Sequence, residues 1–138
     1  MKSNTSRPRP LSPHLGIYRL LITSVTSITH RFTGIALSAG LLMLTAWLGV
    51  LAFCPENYPS FTAFCHSIIG TIILVGFTLA FFYHLCNGIR HLIWDMGVGF
   101  ELKTINKTGP LVIALAIILT AITCFLFALY LISKIGGC

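Results

Sequence analysis

Two groups of polar side chains stand inside otherwise apolar sequence, where each ionisable residue costs about 2.5–3.5 kcal/mol on insertion scales and normally faces protein, cofactor or water. The first is Ser24-Val-Thr-Ser27-Ile-Thr-His30-Arg31-Phe-Thr-Gly34. On a helix Ser27 and Arg31 are i and i+4, one turn apart on a shared face. A hydroxyl beside a guanidinium can donate hydrogen bonds to a carbonyl oxygen and stabilise negative charge developing on it. The same two residues also suit a plainer role, with Ser27 capping a helix and Arg31 reaching out to the membrane edge.

The second group is Tyr83-His84-Leu-Cys-Asn87-Gly88-Ile-Arg90-His91-Leu-Ile-Trp94-Asp95. His84 and His91 are i and i+7, about 10.5 Å apart along one helix face. Gly88 lies between them on that face, where a ring lying flat against the helix needs a position without a side chain. Neutral histidine is a common ligand of heme iron, and basic groups at a membrane edge can pair with heme propionates. That chemistry makes His84, the deeper residue, a candidate axial ligand, with His91, Arg90, His30 and Arg31 as candidate propionate partners. The alternative is a buried His84 hydrogen-bonded to a neighbouring helix, with His91 and Asp95 (i, i+4) forming an ion pair at the helix end. One helix face cannot supply both axial ligands, so the second must come from another helix. His30 of this chain lies nearer the interface and is poorly placed to oppose His84, so a histidine on another subunit is the expectation.

The elements that carry these groups follow from composition. Of 138 residues 56% are hydrophobic and 9% charged, against roughly a quarter charged in a soluble domain. Such a chain cannot cover a water-facing surface, nor is it disordered. Phe32–Phe53, Asn57–Ile89 and Thr108–Ser133 contain no charged residue and run to 22, 33 and 26 residues. Each can cross about 30 Å of hydrocarbon as a helix. The expected fold is an all-α membrane protein, a single domain over 1–138. An N-terminal interfacial segment occupies 1–28, followed by three transmembrane helices at about 30–53, 62–93 and 109–134. Gly40, Gly70 and Gly76 are candidate points of close helix approach, and Pro110 suits a first helical turn.

The net charge of +6 reads as a topology signal, not as a nucleic-acid footprint. Lys2, Arg7, Arg9, Arg19 and Arg31 precede or open the first apolar run, and Arg90, Lys103 and Lys107 surround the second connection. The positive-inside rule then places the N-terminus and that connection in the cytoplasm, or in the mitochondrial matrix. The first run is too long and begins too late for a cleaved signal peptide, and no imported-organelle presequence is evident. A bacterial inner membrane is the simplest location, with the mitochondrial inner membrane as the alternative. Cys54, Cys65, Cys86, Cys124 and Cys138 show no metal-ligand rhythm. A Cys54–Cys65 disulfide is a minor alternative to free thiols.

Three motifs in order carry a family resemblance: Pro10-Leu-Ser-Pro-His-Leu-Gly-Ile-Tyr-Arg19, Ser27-Ile-Thr-His-Arg-Phe-Thr-Gly34 and His84-x-x-x-Gly-Ile-Arg-His-Leu-x-x-Asp95. Together they resemble the cytochrome b large membrane-anchor subunit of succinate dehydrogenase, respiratory complex II, across essentially the whole chain. The resemblance implies a bundle that binds one heme b jointly with a second, small anchor subunit. It also implies docking of an iron–sulfur subunit and, through it, a flavoprotein subunit. By motif match His84 is the axial heme ligand, Gly88 gives clearance, and His30, Arg31 and His91 lie near the propionates. Ser27 and Arg31 match ubiquinone-site residues, with Leu21 and Ile28 as apolar neighbours; the role of Asp95 stays open. The sequence has no glycine-rich dinucleotide fingerprint and no cysteine cluster for an iron–sulfur centre, so the chain alone is not expected to oxidise succinate. The nearest alternative is the anchor of a quinol:fumarate reductase. More distant are a heme-less small membrane transporter using His84, Arg90 and Asp95 as a relay, and an anchor without cofactor.

Overall fold

The computed structural model describes residues 20–136; the Pro10–Arg19 motif and Cys138 lie outside them. Helix α1 spans Ile22–Phe53 and is followed by a single 3-10 turn at Pro55–Asn57. Then come α2 (Tyr58–His66), α3 (Ile68–Asp95) and α4 (Leu102–Gly136), with no strand among the described residues. Three of these helices, α1, α3 and α4, are long and apolar enough to cross a membrane. The architecture is thus an all-α membrane bundle, with α3 packed against both α1 and α4.

Helix boundaries depart from the charge-free runs in three places, each for a local reason. Helix α1 begins at Ile22, since nothing from Ile22 to Arg31 is a helix breaker, so Ser27, His30 and Arg31 all ride on it. The long middle run breaks at Ser67, whose extended backbone caps α3 by accepting a hydrogen bond from the Gly70 amide at 3.1 Å. Gly70 is obligatory there, because a Cβ would run into the Phe64 carbonyl and the Cys65 backbone. Helix α4 starts at Leu102, which leaves Pro110 inside the helix rather than in its first turn.

The other glycines differ in their packing. A Cβ on Gly40 would stand 3.0 Å from the Phe77 ring, so this position does bring α1 and α3 together, whereas Gly76 has nothing within 4 Å. Cys54, Cys65, Cys86 and Cys124 are all free thiols.

The interior reverses the order of a soluble protein. Large aliphatic residues such as Leu41, Ile72 and Ile118 are exposed on the outside, while the largest fully buried side chains are Asn87 and Thr26. Buried polar groups in an apolar medium need hydrogen bonds, and the side chains of Thr26, Tyr83, Asn87 and Arg90 have them. Tyr83 Oη donates to the Thr26 carbonyl at 3.1 Å, as does Asn87 Nδ2 at 3.3 Å. Arg90, 5% exposed, donates from Nη1 to Thr26 Oγ1 at 3.0 Å and to Asn87 Oδ1 at 3.4 Å. Its Nε donates to Thr108 Oγ1 at 3.1 Å and its Nη2 to the Ile105 carbonyl at 3.4 Å.

One side chain on α3 therefore ties α1 and α4 together. Arg90→Leu should lower the unfolding free energy of the detergent-extracted protein by on the order of 2 kcal/mol, measured by denaturant titration. An unchanged midpoint would mean that apolar packing alone sets the three-helix geometry.

Candidate functional site

Three imidazoles converge where α1 and α3 cross. His30 on α1 and His84 on α3 stack with centroids 3.8 Å apart and planes 12° from parallel. His91, two turns further along α3, tilts toward His30 at 5.3 Å. The His91 ring also packs edge-on with Trp94 at 5.2 Å.

The hydrogen bonds around His84 fix its tautomer. Nδ1 lies 3.2 Å from both Thr33 Oγ1 and the His30 carbonyl oxygen. The Thr33 hydroxyl donates its only proton to that same carbonyl, at 2.9 Å. Toward Nδ1 both neighbours can then only accept, so Nδ1 carries the proton and Nε2 keeps its lone pair. An imidazole held this way, with the far nitrogen basic and the near one anchored, is arranged as a metal ligand.

His30 presents the complementary feature: its Nδ1 is buried and has no hydrogen-bond partner. A buried polar atom without a partner in a well-formed site is a place for a ligand group. No set of three or more His, Cys, Asp or Glu side chains capable of holding a bare metal ion converges among the described residues.

Two glycines face the imidazoles, and one of them is tightly packed. A Cβ on Gly34 would lie 3.2 Å from Cε1 of His84, tight enough to displace the ring. Gly88 stands opposite His30, where a Cβ would make an ordinary 3.8 Å contact with its Cε1. Each crossing helix thus carries the same pattern, His30-x-x-x-Gly34 and His84-x-x-x-Gly88. Sequence reasoning used Gly88 alone and missed Gly34 and Thr33; the repeated spacing was the available signal.

Other candidate residues fall outside the imidazole cluster. Ser27 lies inside α1, whose N-cap is Leu21 without a side-chain cap bond, so Ser27 does not cap the helix. Neither Ser27 nor Arg31 makes a side-chain hydrogen bond or ion pair with the described residues, and Arg31 is exposed. Leu21 and Ile28 are exposed beside them.

Arg90, a candidate propionate partner by sequence, turns inward instead: four of its hydrogen bonds go to Thr26, Asn87, Thr108 and Ile105. Its guanidinium also lies 4.1 Å over the Trp94 ring. These commitments leave no His84–Arg90–Asp95 relay. Asp95 is exposed at the end of α3, and no His91–Asp95 ion pair forms among the described residues. His66 is exposed at the end of α2, remote from the cluster.

Two cavities flank the bundle. One of about 240 Å³ lies between α3 and α4 beside Arg90 and Trp94. The other, about 400 Å³, is bounded by Thr29, Thr33, Tyr83 and Ala116. Neither is lined by Ser27, which is half-buried, or by Arg31, which is exposed.

Comparison with known proteins supplies the context for this geometry. A family model described as succinate dehydrogenase/fumarate reductase transmembrane subunit matches residues 5–123. The succinate dehydrogenase cytochrome b556 subunit of Rickettsia felis is 48% identical over 119 residues, 86% of this chain and 93% of the relative. That of Paracoccus denitrificans is 39% identical over 122 residues, 88% of this chain and 94% of the relative. The mitochondrial cytochrome b560 subunit of Mus musculus is 40% identical over 123 residues, 85% of this chain and 70% of the relative. Three membrane-length helices, a paired histidine crossing and matches over most of the sequence agree: the chain belongs to the succinate dehydrogenase/fumarate reductase transmembrane-subunit family, among its succinate dehydrogenase cytochrome b anchor subunits.

Proposed function

We propose that this chain ligates one heme b through Nε2 of His84 and forms part of a ubiquinone-reduction site with Ser27 and Arg31. The observation that carries this reading is the fixed tautomer of His84, whose Nδ1 is held by Thr33 and the His30 carbonyl. The surrounding residues fit the group. Gly34 and Gly88 admit planar rings at the crossing. The unpartnered His30 Nδ1, His91 and Arg31 supply polar contacts for propionates. A second ligand to the iron would come from a small anchor subunit, since this chain would offer His84 alone. When bound, heme b supplies reversible one-electron chemistry at the iron.

Quinone chemistry then rests on α1. The Ser27 hydroxyl donates to a quinone oxygen, and the Arg31 guanidinium, one turn on, offsets the negative charge that electron transfer places there. Two electrons, delivered through an iron–sulfur subunit from a flavoprotein that oxidises succinate, and two protons convert quinone to quinol. This chain's own work is anchoring, orientation and half of the pocket wall. The basic N-terminal segment and the α3–α4 connection face the cytoplasm, or the matrix in an organelle.

Extraction in mild detergent tests the whole reading in one step. The chain should co-purify with a flavin-bearing and an iron–sulfur polypeptide and a second small anchor, with a b-type difference spectrum. A colourless preparation lacking flavin would overturn it. Gly34→Leu tests the crossing itself: the bulk that must enter against the His84 ring should reduce heme absorbance per flavin by at least about tenfold. Full absorbance would show that His84 has room the geometry does not give it.

A further inference from the structure

Resting on the quinone reading of Ser27 and Arg31, we propose that Tyr83, Asn87 and Arg90 form a register lock on Thr26 that positions those two residues. The three are i, i+4 and i+7 on one face of α3, and all are buried. They converge on a single residue of α1, itself 1% exposed. The Thr26 carbonyl accepts from Tyr83 Oη and Asn87 Nδ2, and the Thr26 hydroxyl accepts from Arg90 Nη1. That hydroxyl donates onward to the Thr23 carbonyl at 3.2 Å, which closes the network.

Thr26 is the residue before Ser27, and its carbonyl is the one that an α-helix pairs with the amide of His30. The lock therefore grips the turn that carries Ser27, His30 and Arg31. Apolar ridges tolerate sliding and rotation of one helix on another, whereas hydrogen bonds to a carbonyl are directional. A slip of one residue would turn Ser27 by about 100° and move it about 1.5 Å along the axis. Displacement of that size is enough to ruin a near-attack geometry. None of the four residues is needed for ligation or for quinone contact, and Arg90 carries the same lock on to α4 through Thr108 and Ile105. They act through Ser27 and Arg31 and are positioning residues.

The test uses the intact four-subunit assembly with a short-chain ubiquinone. Thr26→Val removes the hydroxyl at nearly constant volume, and Tyr83→Phe removes one donor. Both should raise the quinone KM by about fivefold or more. Heme absorbance per flavin and succinate oxidation with an artificial acceptor should stay at parental levels, and Thr26→Ser should restore KM to within about twofold. An unchanged KM in both variants overturns the lock, as does a Thr26→Ser variant as impaired as Thr26→Val. A fall in heme, artificial-acceptor and quinone activities together also overturns it, since that is plain loss of structure. If Thr26→Val fails to assemble, Tyr83→Phe decides alone. Ser27→Ala, run in parallel, separates the two readings. A raised KM in Ser27→Ala without one in Thr26→Val or Tyr83→Phe removes the lock only. Quinone reduction unchanged in both KM and rate in Ser27→Ala removes the quinone reading beneath it.

Discussion

His84→Leu in the assembled protein should abolish most of the b-type difference spectrum, leaving less than about a tenth of the parental absorbance per flavin. Leucine preserves the apolar bulk against Gly34 but removes the only imidazole at the crossing whose tautomer is fixed by two acceptors. His30 is a poor replacement, because its ring lies stacked on His84 and its Nδ1 is buried without a partner. His91 is two turns away and packs against His30 and Trp94. Thr33→Val is the graded companion: it keeps the ligand yet frees Nδ1 from one of its two acceptors. A weakening of heme retention on the order of tenfold is expected, with partial rescue by Thr33→Ser. Full absorbance in His84→Leu would move the ligand to another residue and take the Thr33 argument with it.

Much of this site was legible in the sequence because the membrane makes polar residues conspicuous. Histidines at 84 and 91 with glycine between them, and serine and arginine one turn apart at 27 and 31, stand out against apolar neighbours. Helical spacing says which of them share a face. What spacing on one helix cannot say is which face meets which neighbour. Arg90 reads as another cation beside His91, yet at i+6 from His84 it turns inward and becomes the link between α1, α3 and α4. Gly34 and Thr33 gain their meaning only once α1 crosses α3 at His84, a contact of residues about fifty positions apart. The break at Ser67 was hidden for a different reason: hydropathy sees a continuous apolar run. Capping there depends on one hydroxyl and on a glycine with backbone pressed against its missing Cβ.

The polar interior also separates two tasks that the sequence presents as one motif. Thr26, Tyr83, Asn87 and Arg90 satisfy one another within the chain. Ser27, next to Thr26 in sequence, and Arg31, one turn further on, make no such bonds among the described residues. A membrane helix that leaves a guanidinium and a hydroxyl uncommitted, while Thr26 beside them is bonded within the chain, reserves those two groups for something outside the chain.

That division sets the second large expectation. Ser27→Ala and Arg31→Leu should each slow quinone reduction by about a hundredfold to a thousandfold, the range seen when one preorganised donor is removed from a developing negative charge. Arg31→Leu should lie at the severe end, because a charged donor is lost where the charge appears. Succinate oxidation with an artificial acceptor should survive in both, because neither residue holds α1 to its neighbours and assembly should be intact. Arg31→Lys tells positioning from charge. Lysine keeps the cation but lacks the planar fork of donors, so recovery of only a small part of the rate points to directed hydrogen bonding at the quinone oxygen. Equal loss of both activities in Ser27→Ala would reassign these side chains to assembly, with the small anchor subunit, not quinone, as their partner.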